Sequence, residues 1–194
     1  MTSNQPPATD NQPPAPDPQP LVLLLMGVSG SGKSTLGAAV AAELGWPFFD
    51  GDDFHPPENV AKMAAGTPLD DADRRPWLAR LHDLIADYLA RGEPAVVACS
   101  ALKKAYREQL RTGNNGPVFV YLRGDFERLS HRLAGRRDHY MPAGLLESQF
   151  ADLEEPGPDE AVVVDIDATV GEVLAAIEEK SSRGAEAPKV LGLG

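Results

Sequence analysis

The chain has no long hydrophobic run. Its most apolar stretch, Leu21–Met26, is far shorter than the roughly 20 residues a membrane-spanning helix needs. Residues 1–20 contain no Lys or Arg, so this run also lacks the basic flank of a secretory leader. Cysteine is nearly absent. Cys99 alone cannot form an intrachain disulfide framework, and a single thiol fits a reducing, cytoplasmic compartment. Placed in Ala95–Ser100, it reads as a buried strand residue rather than a reactive thiol. Cations are scarce as well: 18 Lys and Arg against 29 Asp and Glu leave a formal charge of −11, which argues against nucleic acid as the partner. The four histidines show no metal-ligand spacing. Residues 1–19 are Pro- and Gln-rich without aromatics, the composition of a disordered tail. Residues 181–194 read as a flexible C-terminal tail.

What remains, residues 20–180, is enough for one α/β domain. Short apolar runs alternate with helical patterns. Leu21–Met26, Pro47–Asp50, Ala95–Ser100, Val118–Leu122 and Ala161–Asp165 read as strands. Most are continuously apolar, as expected for a parallel sheet covered on both faces. Helices are expected over Thr35–Leu44, Asp71–Arg91, Lys103–Arg111, Asp125–Leu133 and Thr169–Lys180, with Gly92 stopping the longest. Met141, Leu145 and Phe150 read as packing residues. The alternation predicts a three-layer α/β/α fold around a five-stranded parallel sheet.

The strongest motif follows the first strand. Residues 27–34, Gly-Val-Ser-Gly-Ser-Gly-Lys-Ser, match the phosphate-loop pattern G-x-x-x-x-G-K-[ST] between a strand and a helix. Gly27, Gly30 and Gly32 permit positive φ and close backbone approach to phosphate oxygens. The helix N-terminus adds a favourable field for an anion. Lys33 supplies a cation for the β- and γ-phosphates, and Ser34 a hydroxyl for Mg²⁺. Gly27, Val28, Ser29, Gly30, Ser31, Gly32, Lys33, Ser34 and Thr35 are therefore assigned to a nucleoside triphosphate.

In parallel sheets, ligands bind at the carboxyl ends of the strands. After the second strand stand Asp50, Asp52 and Asp53. They fit a solvated turn that caps a helix, or a site in which Asp52 orients or deprotonates an acceptor hydroxyl and Asp50 helps hold Mg²⁺ through water. Gly51 leaves room for a ligand, and an extended backbone would point Asp50 and Asp52 the same way. After the third strand stand Ser100, Lys103 and Lys104. Arg132, Arg136 and Arg137 bracket residues 134–143, a segment without apolar pattern that suits a mobile lid over a triphosphate. Arginine's planar fork suits charge developing on phosphate oxygens.

Together these motifs resemble the gluconate kinases, relatives of shikimate kinase among the P-loop small-molecule kinases. The resemblance rests on Met26–Ser34, Asp50-Gly51-Asp52 with His55-Pro56, and the run from Lys62-Met63 through Asp73-Arg74 to Pro76-Trp77-Leu78. It continues through Cys99–Lys104 with Tyr106-Arg107, Gly124-Asp125-Phe126, Arg132, Arg136 and His139, and Ser148-Gln149-Phe150 with Leu153-Glu154. It covers residues 21–180 and implies ATP-dependent, Mg²⁺-assisted phosphorylation of D-gluconate to 6-phosphogluconate. It further implies Lys33, Asp52 and Arg136 as catalytic residues and Arg132 on the nucleotide. Asp52, His55, Lys62, Arg74, Ser100 and Lys103 are the candidates for the acceptor pocket. A homodimer is a family expectation. Shikimate kinase is the nearest rival, disfavoured by the Lys62–Leu78 run and by the missing Gly-Gly turn after the third strand. A nucleotide-dependent switch without turnover is the rival from another class.

Overall fold

A computed structural model describes residues 21–111, 116–134 and 143–183. Five strands form one parallel sheet: β1 (Val22–Met26), β2 (Phe48–Asp50), β3 (Ala95–Ala98), β4 (Val118–Arg123) and β5 (Ala161–Asp165), in the order β2-β3-β1-β4-β5. The first strand is thus central, and its carboxyl end opens between β3 and β4.

The continuous apolar strands have the expected cause. Successive side chains of a strand point to opposite faces, and both faces of this sheet are covered. Leu23 and Leu25 of β1 pack with α1 (Lys33–Leu44) and α7 (Val170–Arg183) through Val40, Val173 and Ile177. Val22, Leu24 and Met26 pack on the other face against Trp77, Leu78, Leu81 and Ile85 of α3 (Asp71–Arg91), with Tyr106 and Leu110 of α4 (Lys104–Leu110). This is the three-layer α/β/α arrangement. The ends of α3 are specified locally. Asp70 and Asp73 form a reciprocal capping box, and Gly92 closes the helix at φ 67° with its N–H on the Leu89 and Tyr88 carbonyls.

Several boundaries differ from the sequence reading. The third strand ends at Ala98, so Cys99 and Ser100 belong to the following loop. Two helices escaped the pattern: α2 (Pro57–Ala64) and α6 (Ala143–Asp152). The helix α5 (Phe126–Ala134) leads into residues 135–142, so Arg136 and most of the expected lid segment lie outside the described residues, as do both expected tails. The last helix runs to Arg183 rather than Lys180.

Candidate active site

The phosphate loop leaves the carboxyl end of β1. Gly27, Gly30 and Gly32 have φ of 144°, 80° and 93°, backbone that side chains rarely adopt. Gly32 is the N-cap of α1 and offers no side-chain cap, so the first N–H groups of the helix are left for another acceptor. The Ser31 hydroxyl is buried without a hydrogen-bond partner among the described residues, a donor in want of an acceptor within the loop. Both observations fit a bound anion. Lys33 Nζ donates to the Val28 carbonyl at 3.1 Å, and the Gly27 N–H donates to the Ser100 carbonyl at 3.3 Å. Ser34 and Thr35 are exposed in the first helical turn. No cluster of three His, Cys, Asp or Glu that could hold a metal exists among the described residues.

A cavity of about 320 Å³ adjoins this loop, within the size range of small-ligand sites. Ser29 and Lys33 of the phosphate loop line it together with Asp52, His55, Arg74 and Ser100. Four separate stretches of chain thus meet in one chamber. A surface cleft of about 540 Å³ beside β5 and α7 is larger, but among the described residues that line it Lys180 is the only cation and no comparable set of reactive groups is present. Chemistry, not size, selects the first.

The turn after β2 departs from the expected extended path. A 3-10 turn (Gly51–Phe54) begins at once, and Asp50 Oδ1 caps it by accepting from the Asp52 N–H at 3.1 Å. Asp52 therefore faces the cavity and Asp50 does not line it; the shared orientation inferred from an extended chain fails. Gly51 also has a different reason to be glycine. A Cβ there would stand 2.4 Å from the Ala98 carbonyl oxygen, so it is the backbone of β3, not a ligand, that demands the space. Trp77 Nε1 donates to the Gly51 carbonyl at 2.7 Å and pins the turn to α3.

Arg74 brings a guanidinium to the cavity wall. Its Nη1 donates to Tyr106 Oη at 2.9 Å and to Asp152 Oδ2 at 3.0 Å. With one nitrogen so anchored, the remaining fork is held in place at the cavity wall. Lys103 is drawn away: it pairs with Asp71 at 2.8 Å and Asp152 at 3.5 Å, and Tyr106 also donates to Asp71. The hydrogen bond to Asp71 raises the Lys103 pKa, with the Asp152 charge acting in the same direction. Lys62 pairs with Asp73 at 2.6 Å on the exposed side of α2. Neither lysine lines the cavity, so neither stands where the sequence reading put it. Arg132 donates to Asp167 and, at 3.3 Å, to the Ile166 carbonyl, at the carboxyl end of β5 rather than over the loop. The Cys99 thiol is buried, and desolvation pushes its pKa to about 12, as a structural cysteine requires.

This geometry accords with known proteins. Residues 29–156 match the family model described as Shikimate kinase. A probable gluconokinase of Mus musculus is 48% identical over 176 residues, covering 81% of this chain and 96% of its own. The Escherichia coli K12 thermoresistant gluconokinase is 45% identical over 165 residues, covering 84% and 94%. The chain belongs to the gluconokinase family. A solved gluconokinase from Sinorhizobium meliloti 1021 superposes with a TM-score of 0.74 at 44% identity, over 87% of this chain and 95% of that one. A shikimate kinase from Bacteroides thetaiotaomicron superposes at 0.55 with 19% identity, which reports the shared fold.

The cavity has walls that the sequence reading left without a role. Gln149 is the chief one. Its Oε1 accepts from the Ser29 N–H at 2.6 Å and its Nε2 donates to the Ser29 hydroxyl at 2.9 Å, tying α6 to the phosphate loop. The Ser148-Gln149-Phe150 motif was visible, but its partner lies 120 residues away. Trp77, Met63 and Leu69 supply apolar wall. Leu145, expected in the packing, lines the cavity too, whereas Phe150 packs edge-on against Phe126.

Proposed function

We propose that this gluconokinase transfers the γ-phosphoryl group of ATP to the terminal hydroxyl of D-gluconate, giving 6-phospho-D-gluconate. One observation carries the reading: a single cavity joins the phosphate loop, one carboxylate (Asp52) and one anchored guanidinium (Arg74). Gluconate has a carboxylate that needs a cation and hydroxyls that need polar partners. Arg74 takes the carboxylate, and Ser100 and His55 meet hydroxyls. Asp52 accepts or orients the proton of the attacking hydroxyl. Lys33 neutralises charge on the β- and γ-phosphates. Ser34, with Asp50 through water, would hold Mg²⁺, which would supply positive charge against the phosphates. Arg136 stabilises the transferring group from the lid at residues 134–143. Arg132 reaches the nucleotide by exchanging the Asp167 carboxylate for phosphate. Positioning and electrostatics carry the rate. The buried, protonated thiol of Cys99 suits a reducing cytoplasm, and no helix among the described residues is long and apolar enough to cross a membrane.

An ADP-release assay with Mg·ATP and a panel of gluconate, its stereoisomers, shikimate and nucleoside monophosphates tests the proposal. Turnover is expected to be fastest with D-gluconate. Faster turnover with shikimate would favour the rival reading, and no turnover with any acceptor the switch.

A further inference from the structure

His55 lines the cavity with its ring flat against Trp77, centroids 4.3 Å apart and planes inclined by 12°. One edge of that ring is already committed. The side-chain nitrogen of Asn59 lies 3.3 Å from His55 Nδ1 and 2.8 Å from the Asp73 carbonyl oxygen. A backbone carbonyl only accepts, so the Asn59 atom facing it is the amide nitrogen and not the amide oxygen. Asn59 is 3% exposed. Flipping its amide would set oxygen against oxygen in a buried site and leave both unsatisfied. One N–H of Asn59 therefore goes to Asp73 and the other to His55 Nδ1. That nitrogen carries a lone pair, and a neutral imidazole with its lone pair on Nδ1 has its proton on Nε2. An imidazolium would oppose two N–H groups at 3.3 Å.

We propose that Asn59 locks His55 as the neutral Nε2–H tautomer, so that the imidazole serves the cavity as a fixed hydrogen-bond donor to an oxygen of the acceptor and never as a base. The surroundings agree. Burial lowers the His55 pKa, with Arg74 acting in the same direction and Asp52 opposing. Among the described residues, those two are the charged groups that bear on the ring, from α3 and from the 3-10 turn; α2 presents the uncharged Asn59 amide. Stacking on Trp77 fixes the ring plane. Among the described residues that line the cavity, Asp52 is then left as the only carboxylate able to take a proton. Asn59 is a positioning residue. The donor role rests on the acceptor site proposed above; the tautomer does not.

The test has two arms. In the first, ¹⁵N-histidine labelling and long-range ¹H–¹⁵N correlation of the ligand-free enzyme read both ring nitrogens, with His55→Gln assigning the signal. At pH 7 the expected pattern is a protonated Nε2 and a lone pair on Nδ1. In Asn59→Asp, the new carboxylate accepts from Nδ1 and the pattern inverts or the ring becomes doubly protonated. An Nδ1–H tautomer or an imidazolium in the wild type at pH 7 overturns the lock, whatever Asn59→Asp does to folding. In the second arm, His55→Gln places an amide nitrogen near the Nε2 position, and His55→Asn places one near Nδ1. The Asn variant is expected to have the higher KM for gluconate, by about 3- to 10-fold, the loss of one neutral hydrogen bond, with kcat less affected. Equal KM values overturn the donor role. If the wild type ignores gluconate, the proposed substrate falls, and the same pair is compared on the acceptor that the panel identifies.

Discussion

Asp52 shows how much a single residue's role depends on its neighbours. Its carboxylate reaches the cavity because Asp50 caps a 3-10 turn and Trp77 pins Gly51. Asp52→Asn keeps that shape and removes the proposed proton acceptor. General base catalysis contributes about 10²–10⁴-fold, so kcat should fall within that range while the affinity for Mg·ATP, measured by calorimetry, stays within about 2-fold of wild type. A variant with wild-type kcat would remove Asp52 from the chemistry. The type of this residue was legible in the sequence, as were the loop glycines and Arg74. The partners of charged residues were not. Lys62 and Lys103 read as pocket cations, yet Asp73 and Asp71 hold them elsewhere, 11 and 32 residues away in sequence. A long flexible cation goes to the nearest carboxylate in space, and no spacing rule reports that distance.

At the scale of elements, the loop between β3 and α4 is held from within. Ala101 has φ 44°, unusual for a residue with a Cβ. The buried Arg107 of α4 donates to the Ala101 and Leu102 carbonyls at 3.2 and 2.9 Å and pairs with Glu160 at 2.8 Å. Strand-end position and cavity wall thus share one brace, since Ser100 adjoins Ala101 and accepts from Gly27. Arg107 is buried but Glu160 is partly exposed; a hydrogen bond between charged groups is worth about 1.5–3 kcal/mol, and Arg107→Ala should lose at least that much in denaturant unfolding. The pH dependence follows from Glu160, whose pKa the Arg107 hydrogen bond lowers. Its contribution is present above the ordinary glutamate value and is lost as pH falls through the folded value. Melting curves from pH 7 down to pH 3 should therefore show a shallower acid limb in Glu160→Gln than in wild type. Parallel limbs would deny the pair its part in stability. The strands and the long helices were legible because burial leaves continuous or 3.6-spaced apolar residues. The helix α2 was not. Asn59 is its one buried residue, and Pro56-Pro57 reads as a turn, although proline at the first helical position suits a helix start.

At the scale of the whole molecule, an acidic chain places its anion site where backbone, not net charge, sets the local field. The formal charge is −11, yet the carboxyl end of the central strand presents uncapped helix N–H groups, Lys33 and Arg74 together. The strand order β2-β3-β1-β4-β5 makes this possible, because it sets β1 between β3 and β4 and brings their following loops to the phosphate loop. That order was not readable from the run of strands; it depends on which edges pair. Ligand binding at so central a strand should stabilise the fold as a whole. At 100 times its Kd, Mg·ATP contributes about 2.7 kcal/mol, which for a domain of this size is roughly 5–11 °C in melting temperature. Lys33→Ala should abolish most of that shift while the ligand-free melting temperature moves by no more than about 2 °C, as for a substitution outside the core. A full shift in Lys33→Ala would place the nucleotide away from the loop. A large drop in the ligand-free value would make Lys33 a structural residue, and the hydrogen bond to Val28 its reason for being there.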